Sequence, residues 1–200
     1  MKQLQLVIKN GLDILLALIL VAPITLGVLI LGIMLFVDSP GPIFFSQLRP
    51  GLRGKLFKLY KLRTMTPGDH VATTPRNPDG SLALTQDVTG YTRFGKMLRR
   101  FSFDELPQIY NILKGEMSFI GPRPDLPEHL QVYSKNEALK LTVKPGLTGL
   151  AQVMGRNELP WKERLQLDVK YVAEYSLWLD LKVLALTLVR LVSGRGVYQK

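Results

Sequence analysis

The sequence predicts a mostly helical α+β protein. It has an N-terminal apolar membrane helix, followed by a small domain with amphipathic helices at the membrane interface. Three observations carry this. Residues 14–37 hold no charged side chain. The stretch 43–65 alternates apolar and basic residues around a turn. Two amphipathic segments, 160–175 and 177–192, close the chain. The division expected is 1–38 as the membrane anchor and 39–200 as the domain that follows it.

The run from Leu12 to Val37 is too long for the apolar core of a cleaved signal peptide, and it ends at Asp38-Ser39-Pro40-Gly41-Pro42 without a small-residue cleavage site. At about 1.5 Å per residue such a helix could cross a hydrocarbon core of roughly 30 Å. Two features oppose a simple crossing. Pro23 removes a helix hydrogen bond mid-run. Both flanks are positive, with Lys2 and Lys9 before the run and Arg49, Arg53, Lys55 and Lys58 after it; positive flanks favour the cytoplasm. On these grounds the re-entrant and spanning readings stand level, because kinked spanning helices are common.

Beyond the run, 57–65 reads as a strand or a basic amphipathic stretch. Residues 66–90 are rich in Pro, Gly, Asp, Thr and Asn, a loop that could act as a lid or be a plain insertion. Residues 91–114 read as helical with a break near Arg100-Phe101-Ser102. Residues 117–124 read as a short strand ending in a Pro-locked turn, 127–141 as a helix, 143–157 as turns, and 160–175 as an amphipathic helix. The stretch 177–192 contains Asp180, Lys182 and Arg190, which makes spanning expensive. It reads equally as an interfacial helix or a buried one.

Composition narrows the chemistry. The 200-residue chain carries a net charge of +10, so its partners are anionic: phosphorylated substrates, acidic lipid or nucleic acid. The long apolar run favours lipid and phosphate over nucleic acid. No cysteine occurs, which excludes disulfides, thiolate zinc sites and cysteine nucleophiles. The two histidines, His70 and His129, are far apart and in no ligand spacing. No D-x-D, Walker A or G-x-G-x-x-G motif is present.

The most informative short segment is Ser102-Phe103-Asp104-Glu105. By itself it fits a capping box at a helix start. Its neighbours give a second meaning: Arg99 and Arg100 precede it, and Arg123 follows in Pro122-Arg123-Pro124. Arginines around an acidic pair form salt bridges or hold phosphates bidentately.

Seven ordered blocks extend this pattern. They are Arg49-Pro50-Gly51; Lys58-Leu59-Tyr60-Lys61-Leu62-Arg63-Thr64-Met65; Arg99 with Ser102 to Gln108; Asn111 to Pro124; Lys144-Pro145-Gly146-Leu147-Thr148-Gly149; Gly155-Arg156-Asn157; and Leu167-Asp168-Val169 with Leu179-Asp180-Leu181-Lys182. In these blocks the chain resembles the bacterial sugar transferases, the small monotopic phosphoglycosyl transferases, from about Lys9 to Val197.

The resemblance implies transfer of a sugar 1-phosphate from a UDP-sugar to polyprenyl (undecaprenyl) phosphate. It implies a phospho-sugar intermediate on an aspartate, here Asp104 in a dyad with Glu105, and Mg²⁺ held by that dyad. It carries Arg99, Arg123 and Lys61 over as phosphate-binding positions, with Arg156, Asp168 and Asp180 as further site candidates. It favours a re-entrant helix broken at Ala22-Pro23, where the family usually has Ser-Pro. The location implied is the cytoplasmic face of the bacterial inner membrane, with no nucleic-acid partner and oligomerisation left open. The competing reading is a basic membrane adaptor without catalysis, which leaves the acidic pair among arginines unexplained.

Overall fold

In a computed structural model of the chain, residues 2–66, 90–155 and 159–193 are described. Most of the loop expected at 66–90, together with His70 and Arg156, lies outside the described residues.

Helix α1 runs from Lys2 to Asp38 without interruption, with Pro23 inside it. Proline leaves the carbonyl one turn earlier unpaired. Close by, the Thr25 hydroxyl donates to the Val21 carbonyl at 2.6 Å and lies 2.7 Å from the Tyr110 hydroxyl. One face of α1 is buried along its whole length: Lys9, Asp13, Ala17, Val28 and Leu35, with Leu20, Ile24 and Leu31 packed between them. Their spacing is that of a helix stripe. The opposite face holds Leu15, Leu18, Ile19, Leu26, Leu29, Ile33, Phe36 and Val37, each more than half exposed. A contiguous apolar surface of this extent is unfavourable in water and marks a membrane or partner surface. Among the described residues α1 is the one helix long and apolar enough to cross a membrane.

The alternating stretch after α1 forms an antiparallel hairpin, so of the two readings of 57–65 the strand is the one that forms, as far as Leu62. β1 (Phe44–Pro50) pairs with β2 (Leu56–Leu62) from Phe44↔Leu62 to Pro50↔Leu56. The turn between them uses Gly54 at φ 76°, a left-handed position that glycine enters without strain. Because strand side chains alternate, Phe57, Leu59 and Lys61 share one face. Phe57 and Leu59 pack with Ala17, Ile109, Ile112 and Met117 in one core cluster, which carries Lys61 towards the same region.

α2 (Arg93–Arg100) and α3 (Ile109–Leu113) flank the break expected near residue 101. β3 (Ser118–Ile120) pairs in parallel with β4 (Gly146–Thr148). The two backbones approach so closely here that a Cβ on Gly146 would lie 2.1 Å from the Gly121 nitrogen. α4 (Leu150–Met154) follows, so the turn-rich reading of 143–157 missed a short strand and a short helix.

The helix expected over 127–141 does not form. Two 3₁₀ turns, Pro127–Gln131 and Glu137–Thr142, stand in its place. His129 and Lys140 are buried here, and the Tyr133 hydroxyl donates to Asp125. Buried polar partners therefore override the local helical pattern.

α5 (Trp161–Ala173) and α6 (Leu177–Ser193) match their expected positions. Ile120, Val153, Tyr171, Tyr175 and Val183 form their core, with Leu6 of α1 packed against it. α6 is not a buried helix: Trp178, Leu181, Leu188 and Val189 are more than half exposed.

The two chain ends are tied by a polar cluster. Lys9 Nζ donates to Asp180 Oδ2 at 2.9 Å, and the Tyr171 hydroxyl donates to Asp180 Oδ1 at 2.6 Å. The Asp13 carboxylate accepts from the Phe119 amide. Tyr171→Phe leaves Asp180 short of one donor in a buried setting. It is expected to cost about 1.5–3 kcal/mol, as for a hydrogen bond to a charged group. Denaturant unfolding in detergent reads this, and an unchanged midpoint would show that the bond contributes nothing.

Candidate active site

The acidic pair is placed by a sharp reversal after α2. Phe101 ends the helix, and Ser102 adopts φ 59°, ψ 21°, a left-handed conformation uncommon for a non-glycine residue. A 3₁₀ turn, Phe103–Gln108, then carries Asp104 and Glu105 in its first turn. The capping box is not formed: Ser102 makes no side-chain cap. The Glu105 carboxylate turns instead towards two cations.

Lys61 Nζ donates to Glu105 Oε1 at 2.7 Å. Arg123 holds the same carboxylate as a fork, Nη2 to Oε1 at 2.7 Å and Nη1 to Oε2 at 3.4 Å. Burial raises the Glu105 pKa, but Arg123 and Lys61 outweigh it and hold the group well below the usual carboxylate range. Arg123 is correspondingly raised, chiefly by Glu105.

Asp104 is in a different state. It is 5% exposed, and its one ion-pair contact among the described residues is Lys61 at 3.8 Å. Burial pushes its pKa up; Lys61 pulls it down, Glu105 adds to the rise, and Arg99 and Arg123 oppose it. Arg99 lies with its guanidinium 5.0 Å from the centre of the Tyr91 ring. One carboxylate of the dyad is thus saturated by cations. The other sits among positive charges with its own bonding capacity largely unspent.

Five expected site residues converge here: Lys61, Arg99, Asp104, Glu105 and Arg123. Two others do not. Asp168 sits in a second cluster, where Lys140 Nζ bridges Asp125 Oδ2 and Asp168 Oδ2, both at 2.7 Å. Burial pushes Asp168 up to about 6, against the pull of Lys140. Asp180 belongs to the Lys9–Tyr171 cluster described above.

Three residues near the site were not singled out from the sequence as site candidates. Arg49 donates to Gln47 Oε1 at 2.7 Å and reaches the Pro124 carbonyl at 3.5 Å. Asp125 and Lys140 flank the Arg123 turn and line a cleft with Pro50, Gly51, Arg123 and Pro124. The Arg-Pro-Gly block pointed to Arg49. Lys140 had no signal, being one lysine in a polar stretch.

Comparison with known proteins gives a consistent set of relatives. The family profile described as bacterial sugar transferase matches residues 4–194. The chain is 45% identical over 158 residues to "Uncharacterized sugar transferase EpsL" of Bacillus subtilis (strain 168), covering 79% of this chain and 74% of that one. It is 44% identical over 170 residues to the UDP-glucose:undecaprenyl-phosphate glucose-1-phosphate transferase of Xanthomonas campestris pv. campestris, covering 81% of this chain but 34% of that longer protein. It is 38% identical over 199 residues to the exopolysaccharide production protein ExoY of Sinorhizobium fredii (strain NBRC 101917 / NGR234), covering 95% and 88% of the two chains.

Proposed function

The chain belongs to the bacterial sugar transferase family, and from that premise we propose that it moves a sugar 1-phosphate from a UDP-sugar onto undecaprenyl phosphate, releasing UMP. The observation that carries this is the asymmetry of the dyad: Glu105 is fully engaged by Arg123 and Lys61, while Asp104 is buried beside them with a single long ion-pair contact. The names of relatives, such as the Xanthomonas glucose-1-phosphate transferase, support the substrate class.

Asp104 needs no base, since an ionised carboxylate is already a nucleophile. Its oxygen attacks the phosphorus next to the sugar. The bond from that phosphorus to the bridging oxygen breaks, and UMP departs with the electron pair. The phospho-sugar is left as an acyl phosphate on Asp104. An oxygen of the polyprenyl phosphate then attacks the same phosphorus, the bond to Asp104 breaks, and the carboxylate is restored. Lys61, Arg99 and Arg123 offset the repulsion between carboxylate and diphosphate.

The donor set also suits a hard cation. Mg²⁺ is usually held by one or two carboxylates together with substrate phosphates. The described residues hold no cluster of three or more ligating side chains, but an adjacent Asp-Glu pair with a phosphate substrate meets that lesser demand. Asp104 would hold the ion together with Glu105 Oε2, the oxygen that Arg123 reaches only at 3.4 Å, and the ion would supply further charge neutralisation when bound.

The reading places the enzyme on the cytoplasmic face of the inner membrane. In it α1 is the anchor (1–38), entering and leaving one leaflet by a kink proposed at Ala22-Pro23 within the otherwise continuous helix, and the remainder (39–200) is the catalytic domain. The buried stripe from Lys9 to Leu35 supports this, because both halves of α1 stay against one body. The exposed apolar face of α6, with Trp178, supports an interfacial position. Such a seat puts Asp104 near the height of a lipid phosphate, as the first membrane step of glycoconjugate assembly requires.

The test is UMP release by the purified protein across a panel of UDP-sugars with undecaprenyl phosphate. One UDP-sugar is expected to give lipid-dependent UMP and a lipid-linked product. EDTA should abolish the reaction and added Mg²⁺ restore it. Absence of UMP from every UDP-sugar would overturn the function, and an EDTA-insensitive rate would remove the metal.

A further inference from the structure

The guanidinium of Arg49 is partly buried at the end of β1, and its Nε is buried with no acceptor. Its other nitrogens reach a neutral amide oxygen on Gln47 and the backbone carbonyl of Pro124. No carboxylate among the described residues makes an ion pair with it. Arg123 lies close enough for its charge to act on Arg49. Burial and that like charge together bring the Arg49 pKa down to about 10, against the pull of Asp125, Glu105 and Glu128.

A secluded charge without a counter-ion is destabilising, and a single structural hydrogen bond does not require one. Had the role been only to tie β1 to the Pro122–Pro124 turn, a neutral donor would serve. A guanidinium is instead matched to phosphate oxygens, which it can bind bidentately. Arg123, the neighbouring guanidinium, is already committed to Glu105.

We propose that Arg49 is a second phosphate-binding residue of this site, whose missing counter-charge is supplied by a substrate phosphate group. The proposal rests on the function above for its substrates, which carry phosphate on two molecules: the diphosphate of the UDP-sugar and the phosphate of the lipid acceptor. The Pro124 carbonyl holds the guanidinium beside the turn that carries Arg123.

The experiment compares the full-length wild type and Arg49→Gln in detergent. Inorganic pyrophosphate and UMP serve as probes, each read from the ligand-dependent rise in unfolding midpoint. Arg49→Gln is expected to unfold at the same temperature as wild type or higher without ligand, because an uncompensated charge has been removed. Its dissociation constant for pyrophosphate or UMP is expected to rise at least tenfold. A raised KM confined to the UDP-sugar assigns the donor diphosphate. A raised KM confined to the lipid assigns the acceptor phosphate. A folded Arg49→Gln that binds both probes with less than a tenfold loss overturns the proposal. So does an Arg49→Gln that fails to fold, since that shows a structural role. Pyrophosphate binding needs no turnover, so it tests Arg49 even if no UDP-sugar yields UMP.

Discussion

Asp104→Asn is expected to lower UMP release by at least about a thousandfold, on the order of 4 kcal/mol in the barrier. An amide oxygen is a poor nucleophile towards phosphorus, and no neighbouring group can replace it: the Glu105 carboxylate is held by Lys61 and Arg123. Intact-mass measurement gives a second readout. Wild type incubated with the donor and no lipid should gain one sugar phosphate, and Asp104→Asn should gain none. The fold should survive. Burial raises the Asp104 pKa in the folded chain. A raised carboxylate gives stability at low pH that is lost as pH rises through its folded value. The neutral amide removes that loss, so the variant should be at least as stable as wild type at neutral pH. Turnover within tenfold of wild type would remove Asp104 from the nucleophile's role.

Lys140→Met is expected to cost roughly 3–5 kcal/mol of stability, the range for breaking a buried ion pair by removing one partner. Lys140 is 3% exposed in its side chain and bridges Asp125 and Asp168, so its loss leaves two carboxylates without their cation. The deficit should depend on pH. Asp168 is already pushed up to about 6 by burial, with Lys140 opposing. Asp125 is held below its usual value because Lys140 outweighs burial. Without Lys140 both folded values climb. Each group then binds its proton more readily in the folded chain, which favours folding at low pH and penalises it as pH rises. The deficit should therefore be largest at pH 7 and above and shrink towards pH 5. Denaturant unfolding at several pH values measures it. A loss below about 1 kcal/mol at pH 7, or a deficit that grows on acidification, would show that Lys140 is not the cluster's essential cation. Activity should fall as well, since Asp125 lies two residues from Arg123.

The site was partly legible in the sequence because its parts announce themselves locally. Asp104-Glu105 after Arg99, and Arg123 between two prolines, stand out as short patterns. Lys61 comes from the resemblance alone, and the structure supplies its reason: on β2 it shares a face with Phe57 and Leu59. The helix expected at 127–141 was misread for the converse reason. Its polar residues look solvated in a linear pattern, yet Lys140 faces inward to Asp125 and Asp168, and His129 packs against the Trp161 ring at 5.0 Å between centroids. Asp168 and Asp180 were grouped with the dyad by resemblance, whereas one serves the Lys140 cluster and the other ties α6 to Lys9, 171 residues away.

The chain's own order of residues was enough to establish the apolar helix, the turn at Arg49–Gly54, the break near Ser102 and the cationic company of the acidic pair. Periodicity and backbone preference act over a few residues and need no partner. Only the folded arrangement decided which carboxylate the cations claim, leaving Asp104 open and Glu105 closed, and that Arg49 meets no carboxylate in an ion pair among the described residues. Those outcomes depend on burial and on contacts such as Lys61 with Glu105, 44 residues apart, because electrostatic strength is set by the surroundings that packing creates.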